Sequence, residues 1–432
     1  MRYGATRSAR DVARAIVLEP FATGHRPTYV SWITAALLRC DLDVHIAAPR
    51  LVLDHPAVVS LTDATRGSSR PGLIEVDAPP VPSGRSGAFS LWRFERQMHA
   101  WLAHAHRSTG GVDGADLLVV PYLDYCFHYT AIHGSPFRGT RWCGITMRTE
   151  FPRQGLRMSA RTALRIRLLQ RMLGQPALHA LFSIDPSARE FIAERSTDRR
   201  WSALRYLPDR GETVPVQPRA RARESLGLPS DERVVLLFGS IDPRKGLPEL
   251  LEGAAARADS NRWTVLIAGR QTPQARALIN TWRASHESGP QLWIHDAFVD
   301  PSLAGRLFGA CDVVWVGYPA HRSMSGVLVQ AGLAGKSVVA HEGTLIAALA
   351  EQGGIGTVCD VRSPQAVARA LGLAAHPDRL AAAQTAGPLS FAAHRPESAA
   401  LAFLQALLPR DAYVGAEECA PLGIAMRKAG AE

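Results

Sequence analysis

Phe238-Gly239-Ser240-Ile241-Asp242-Pro243-Arg244-Lys245-Gly246 decides the reading of this chain. The stretch closes the apolar run 234–238, short and β-branched enough for a buried strand. It leads into Leu247, Leu250, Leu251 and Ala254 at helical spacing. A strand, a glycine turn and a helix start in that order form an anion-binding junction, because a helix N-terminus presents unpaired amides and partial positive charge. Lys245 adds a point charge, and Arg244 adds a fork able to grip phosphate bidentately. Taken alone, the stretch also reads as a solvated basic loop.

The alternation of β-branched runs with helical segments continues on both sides, the pattern of parallel sheets with crossover helices. Strands are expected at 234–238, 263–268, 291–295, 312–316 and 337–340. Thr272-Pro273, Asp300-Pro301 and Ser363-Pro364 mark helix starts, as does Asp185-Pro186 in the first half. In each pair the first side chain caps an orphan amide, and proline at the first helical position loses no bond. The first half predicts strands at 15–19, 43–47, 72–76, 116–120, 141–146 and 180–184, a helix over 28–39 and a basic amphipathic helix over 156–173. Residues 207–229 hold four prolines and little periodicity, and read as a hinge with the boundary near 208. The expected domains are 1–207 and 208–390, with a helix at about 391–410 returning to the first domain and a mobile tail over 411–432. The fold class is α/β, two doubly wound Rossmann-like domains facing each other across a cleft, where ligands meet the strand C-termini.

At 432 residues, with 47% apolar and 20% charged residues, the chain exceeds one ordinary core and is far from the profile of disorder. A single small binding module is excluded. The longest apolar runs last five or six residues, against roughly 20 for a bilayer crossing. The arginine-bearing N-terminus lacks a secretory apolar region, so the cytoplasm is the expected location, with peripheral membrane contact left open. Cys40, Cys126, Cys143, Cys311, Cys359 and Cys419 show no C-x-x-C and no zinc spacing. They read as reduced thiols, and neither metal nor cofactor is expected. A net charge of +10 admits nucleic acid, an anionic membrane or a phosphate pocket. With only three lysines, and arginines read as spread without a polybasic block, nucleic acid is disfavoured.

A second junction follows about eighty residues past the first. His321-Arg322-Ser323-Met324-Ser325-Gly326 leads into a helical run that ends at Gly335. Ser325 is placed to cap, Gly326 to admit a ligand against the backbone, and Gly335 to end the helix in a left-handed turn. Gln330, about one turn inside, is placed to reach ribose hydroxyls.

With these pieces in this order, the stretch from about 234 to 371 resembles the donor-binding domain of family 4 glycosyltransferases of the GT-B fold. Gly239 with Lys245-Gly246 is similar to the family's glycine, basic pair and turn. Leu266-Ile267-Ala268-Gly269 is similar to its second strand and glycine, and Phe298-Val299 to the loop that cradles the base. Ala310-Cys311-Asp312-Val313-Val314-Trp315-Val316 and Gln330-Ala331-Gly332-Leu333-Ala334-Gly335-Lys336-Ser337-Val338-Val339 resemble its later strand and its closing helix and strand. The resemblance implies a nucleotide-sugar donor, UDP- or GDP-linked, as co-substrate. Gly24, Gly239, Ser240, Gly269, Phe298, Val299, Arg322, Ser323, Met324, Ser325, Gly326 and Gln330 would bind it, with Lys245 and Arg244 acting on the diphosphate.

Three departures stand out. Ser240 occupies the place of an arginine that usually follows the first glycine, while Arg322 and Gln330 occupy those of two glutamates. Arg322 then favours an anionic donor sugar, grips the diphosphate, or marks a chain that binds a donor without turnover.

In the first half, Ala22-Thr23-Gly24-His25-Arg26 resembles the family's acceptor-domain glycine loop. His25 is a catalytic candidate there, against the plain reading of a surface histidine. Beyond 141–146, Arg148 is a candidate acceptor contact and Glu150 a candidate acid/base, against a solvated loop. Tyr122 and Tyr125, within a cluster with Phe127, His128 and Tyr129, either stack on an acceptor or pack on the domain's own helices. The reading is sugar transfer to a hydroxyl acceptor, a polysaccharide precursor or small natural product, retaining and metal-independent. An enzyme coupling or epimerising activated sugars, a catalytically silent nucleotide-sugar-binding protein and a nucleic-acid-binding protein are the rivals; oligomeric state is not readable.

Overall fold

Apolar runs of four to six residues dictate the architecture, since only strands covered on both faces are this uniformly buried. The computed structural model describes residues 14–40, 42–65, 70–80, 88–110, 116–148, 151, 160–212, 214–286, 289–321 and 323–408. Among these, seven parallel strands form one sheet: β1 (Arg14–Leu18), β2 (Asp43–Ala48), β3 (Gly72–Glu75), β4 (Asp116–Val120), β5 (Arg141–Thr146), β6 (Leu178–Ser183) and β7 (Leu204–Tyr206). Their spatial order is β3-β2-β1-β4-β5-β6-β7. Six more form a second parallel sheet: β8 (Arg233–Phe238), β9 (Trp263–Ala268), β10 (Gln291–His295), β11 (Val313–Val316), β12 (Ser337–His341) and β13 (Gly356–Cys359). Their order is β10-β9-β8-β11-β12-β13. The sheets belong to two units, one running to Pro208 and resuming at Ala399, the other Asp209–Ser398.

Each order reverses once, between β1 and β4 in the first sheet and between β8 and β11 in the second. At such a reversal the connecting loops leave in opposite directions and open a crevice at the strand C-termini. The crevice positions are therefore the loops after β1 and β4, and those after β8 and β11.

Three of the four capping pairs act as their chemistry demands. Thr272, Asp300 and Ser363 accept from the amides of Ala275, Leu303 and Ala366 at 3.2, 2.9 and 3.3 Å. The Asp185-Pro186 expectation fails: the helix starts at Ser187 with Pro186 as its N-cap and no side-chain cap, and Asp185 instead accepts from the Ser187 amide at 2.9 Å in the turn before it. Val367, Ala370 and Leu371 lie in the core, as do Leu247, Leu250, Leu251 and Ala254. Among the described cysteines, Cys40, Cys126, Cys143 and Cys311 are buried and Cys359 is half-buried; Cys419 lies outside the described residues.

Several expectations need correction. The stretch 207–229, read as an aperiodic hinge, contains the helix Arg219–Leu226. Five of its eight residues are arginine or alanine, so apolar periodicity is silent. The buried guanidinium of Arg223 anchors it instead, donating to Asp312 Oδ2 at 2.9 Å and to the carbonyls of Ala310, Pro229, Ser230 and Glu232 at 2.7–3.1 Å. Strands β7 and β13 and the 21-residue helix Ala88–Ser108 are additional elements. The basic helix spans Ala160–Leu173, residues 156–159 lying outside the described residues. The last helix among the described residues is Pro396–Leu407. Phe403 on it packs against Trp32 and Phe182 of the first unit, centroids 5.6 and 5.1 Å apart. The proposed tail 411–432 is outside the described residues.

Candidate functional site

In the unit Asp209–Ser398, β8 delivers its chain into a turn built on two glycines. Gly239 (φ +90°) and Gly269 (φ +135°) lie backbone to backbone, the Gly239 amide donating to Ala268 O at 3.0 Å. A Cβ on Gly269 would overlap the Gly239 carbonyl, so this glycine serves close approach of two strand ends. Asp242 caps the next turn, accepting from the Arg244 amide at 2.9 Å. Gly246 (φ +66°) presses against Gly317 O, and the Trp315 indole donates to Lys245 O at 2.9 Å. The loop after β8 is thus pinned to the end of β11.

That pinning sets the Lys245 side chain. Its ammonium donates to Phe238 O at 2.7 Å and lies 5.2 Å from the centre of the Tyr318 ring. It would stand 3.1 Å from a Cβ on Gly239. Burial lowers its pKa to about 8, with Asp242 opposing and Arg244 reinforcing the shift. Arg244 is 79% exposed in its side chain, and its guanidinium makes a forked pair with Asp242 (Nη2–Oδ2 2.7 Å). Its charge is engaged by that carboxylate, unlike the free fork read from sequence. Ser240 is exposed.

The second junction arrives at the same place. Val327 Cγ2 would lie 3.8 Å from a Cβ on Gly239. Ser325 caps the helix Gly326–Leu333, accepting from the Leu328 amide at 3.4 Å, and Gly326 faces open space. Tyr318 is buried, which raises its phenol; its hydroxyl lies beside Ser325 without meeting a partner at good hydrogen-bonding geometry. His321 contacts Tyr318 edge to face at 5.7 Å, and its Nε2 lies 3.1 Å from Met324 O and 3.2 Å from Ser323 Oγ. Burial lowers its pKa, and the cations Lys245 and Arg244 add to the lowering. Met324 is buried. Gln330 is buried with Nε2 unpartnered, and so is Gln271 in the loop after β9. Phe298, after β10, is 67% exposed, with half-buried Val299 beside it. Arg322 lies outside the described residues.

The first unit has its own group at its own switch point. Glu19 follows β1 directly and is fully buried; Oε1 accepts from the Phe21 amide at 3.1 Å, while Oε2 has no partner. Burial pushes its carboxyl up to about 8. Gly24 (φ +68°) opens onto free space. His25 stays exposed, its Nε2 2.9 Å from Met147 Sδ and its ring edge-on to Tyr122 at 6.0 Å. Desolvation, then Arg26 and Arg148, lower its pKa. The Arg26 guanidinium lies 4.6 Å over the Tyr122 ring and 5.1 Å over Phe21. Asp124 accepts from the Thr146 hydroxyl and the Met147 amide, both at 2.7 Å, and burial raises its pKa against these bonds. Arg148 is exposed; Glu150 lies outside the described residues.

Tyr122 and Tyr125 are both buried, at 6% and 4% exposure, tilted on each other at 5.9 Å. As the structure stands, packing claims most of their surface, the second of the two sequence readings. Glu19, Asp124, Tyr318 and His321 were absent from the sequence-derived set. The one signal for Glu19 was an acid ending an apolar strand.

Among the described residues no cluster of histidine, cysteine or carboxylates could hold a metal ion. Residues 232–375, a third of the chain and all within the Asp209–Ser398 unit, match the family model described as Glycosyl transferases group 1. No curated protein matches the sequence. Among solved structures, sucrose-phosphate synthase from Thermosynechococcus elongatus is similar at TM-score 0.63 and 19% identity, over 91% of this chain and 97% of that one. Anabaena HepE in complex with UDP and glucose is similar at TM-score 0.63 and 16% identity, over 91% and 99%. The N-terminal domain of Candida albicans trehalose-6-phosphate phosphatase is similar at TM-score 0.65 and 12% identity, over 94% and 98%. The fold is GT-B, and the enzyme class of the family model matched by residues 232–375 is glycosyltransferase.

Proposed function

We propose that this protein moves a sugar from a nucleoside-diphosphate sugar to a hydroxyl acceptor, with retention at the anomeric carbon and without a metal. The observation that carries the proposal is the convergence of two loop-to-helix junctions at the β8/β11 reversal, Lys245 on one and the Ser325-capped helix on the other. Negative charge grows on the departing diphosphate as the glycosidic bond breaks. An ammonium and the open amides of a helix start, fixed before the reaction, stabilise that charge at little reorganisation cost. The orphaned amides of Gln330 and Gln271 are groups that ligand hydroxyls or a base would satisfy. UDP is the first donor nucleotide to test, since HepE carries it in its solved complex. The acceptor would sit with the first unit, near Gly24, His25 and Arg148.

The test is titration of UDP and UDP-sugars by calorimetry, followed by anomer-resolved NMR of the product. Lys245→Ala should weaken diphosphate binding and lower kcat by at least about a hundredfold, with the far-UV spectrum unchanged. Unaltered turnover in that variant removes Lys245 from the chemistry. Binding without turnover by the wild type would favour the nucleotide-sugar-binding protein instead, the reading that Arg322 and Gln330 in place of carboxylates support.

A further inference from the structure

The charge of this molecule is not evenly spread, contrary to its sequence reading. Residues 138–173 contain nine arginines against one acidic residue, in a chain of net charge +10. In the first unit the helices Ala88–Ser108, Phe127–His133 and Ala160–Leu173 form one layer, the middle helix packing against both others. Together they hold seven arginines and a single acid, Glu95. Glu95 is buried and spent internally, accepting from His128 Nδ1 at 2.6 Å and the Tyr129 amide at 2.7 Å. Arg93, Arg96, Arg167 and Arg171 on the outer helices are exposed, with no carboxylate of the layer left to neutralise them.

Apolar groups stand among these cations. Leu91, Trp92, Ile132 and Leu164 are exposed at 52, 37, 42 and 58%. Trp92 rests against Tyr129 and His133, centroids 4.9 and 5.5 Å apart, leaving its outer edge in solvent. We propose that the outer face of this three-helix layer docks on an anionic lipid surface. Arginines of one sign draw the face to acidic headgroups, while leucine, isoleucine and the indole edge enter the headgroup–acyl boundary. A nucleic acid would use the arginines equally well. It would gain nothing from exposed leucine and isoleucine, which cannot stack on bases, and the Trp92 ring is already occupied by its neighbours. No helix among the described residues is long and apolar enough to cross a membrane, so docking is peripheral. This proposal does not depend on sugar transfer.

The experiment is co-sedimentation of the full chain with phosphatidylcholine vesicles, with and without phosphatidylglycerol. Binding is expected only with phosphatidylglycerol and should weaken as salt rises. Arg96→Gln, Arg167→Gln and Arg171→Gln should each weaken it about fivefold at low salt, from roughly 1 kcal/mol per basic residue at the surface. Leu164→Asn, which leaves every charge in place, should weaken it as well. Circular dichroism and thermal unfolding check that the variants remain folded. Equal partition onto both vesicle types, or onto neither, overturns the proposal. So does duplex DNA or heparin binding that matches vesicle binding and is indifferent to Leu164→Asn, an outcome that would mark a polyanion surface.

Discussion

Lys245 keeps its charge by a small margin. Its folded pKa of about 8 means that the ammonium begins to be lost just above neutrality. A bound diphosphate favours the charged form and raises that pKa, so UDP binding near pH 8 should take up protons, and affinity should fall as pH climbs past that value. Calorimetry in two buffers of different ionisation heat measures the uptake; none, or a release, contradicts the contact. Glu19 follows the opposite logic. Its carboxyl is raised from 4.5 to about 8, so the folded chain binds one more proton than the unfolded chain between those values. Stability is therefore lost as pH rises through that window. Glu19→Gln, isosteric and uncharged, should raise Tm at pH 7.5 and lose its advantage toward pH 4.5. An unchanged Tm at both would show that the carboxyl is not penalised by burial.

At the scale of elements, legibility tracked the kind of force that holds each one. Helices opened by Thr272-Pro273, Asp300-Pro301 and Ser363-Pro364 were readable because capping is local: donor and acceptor lie three residues apart. Strands such as β8 and β11 were readable because the runs 234–238 and 313–316 are apolar throughout and almost wholly buried. The helix Arg219–Leu226 was not, since its anchor is Asp312, 89 residues from Arg223. Both side chains are almost wholly enclosed, at 2% and 3% exposure. Arg223→Ala would remove the buried cation from Asp312, leaving it the half-exposed Arg219 at 3.2 Å and the Val234 amide at 2.9 Å, and would orphan the carbonyls that Arg223 serves, which should cost about 3–5 kcal/mol, read from denaturant unfolding. A loss under about 1 kcal/mol would mean that water reaches Asp312 readily. The short edge strands β7 and β13 escaped for a simpler reason: three or four residues, only partly buried, carry too little pattern.

Across the molecule, alternating strand and helix signals already imposed parallel, doubly wound sheets, because apolar runs that short must be covered on both faces and parallel neighbours need crossover helices. They also located both loop-to-helix junctions proposed to hold the diphosphate, since each is written in consecutive residues. Sheet order was a matter for tertiary structure: the reversals at β1/β4 and β8/β11 arise from pairings between strands about 100 and 78 residues apart. The same holds for the neutral state of Glu19, the pairing of Arg244 with Asp242, the packing of Tyr122 and Tyr125, and the gathering of arginines on one helical layer. Desolvation and charge crowding depend on which distant segments enclose a group, and no stretch of contiguous sequence contains that enclosure.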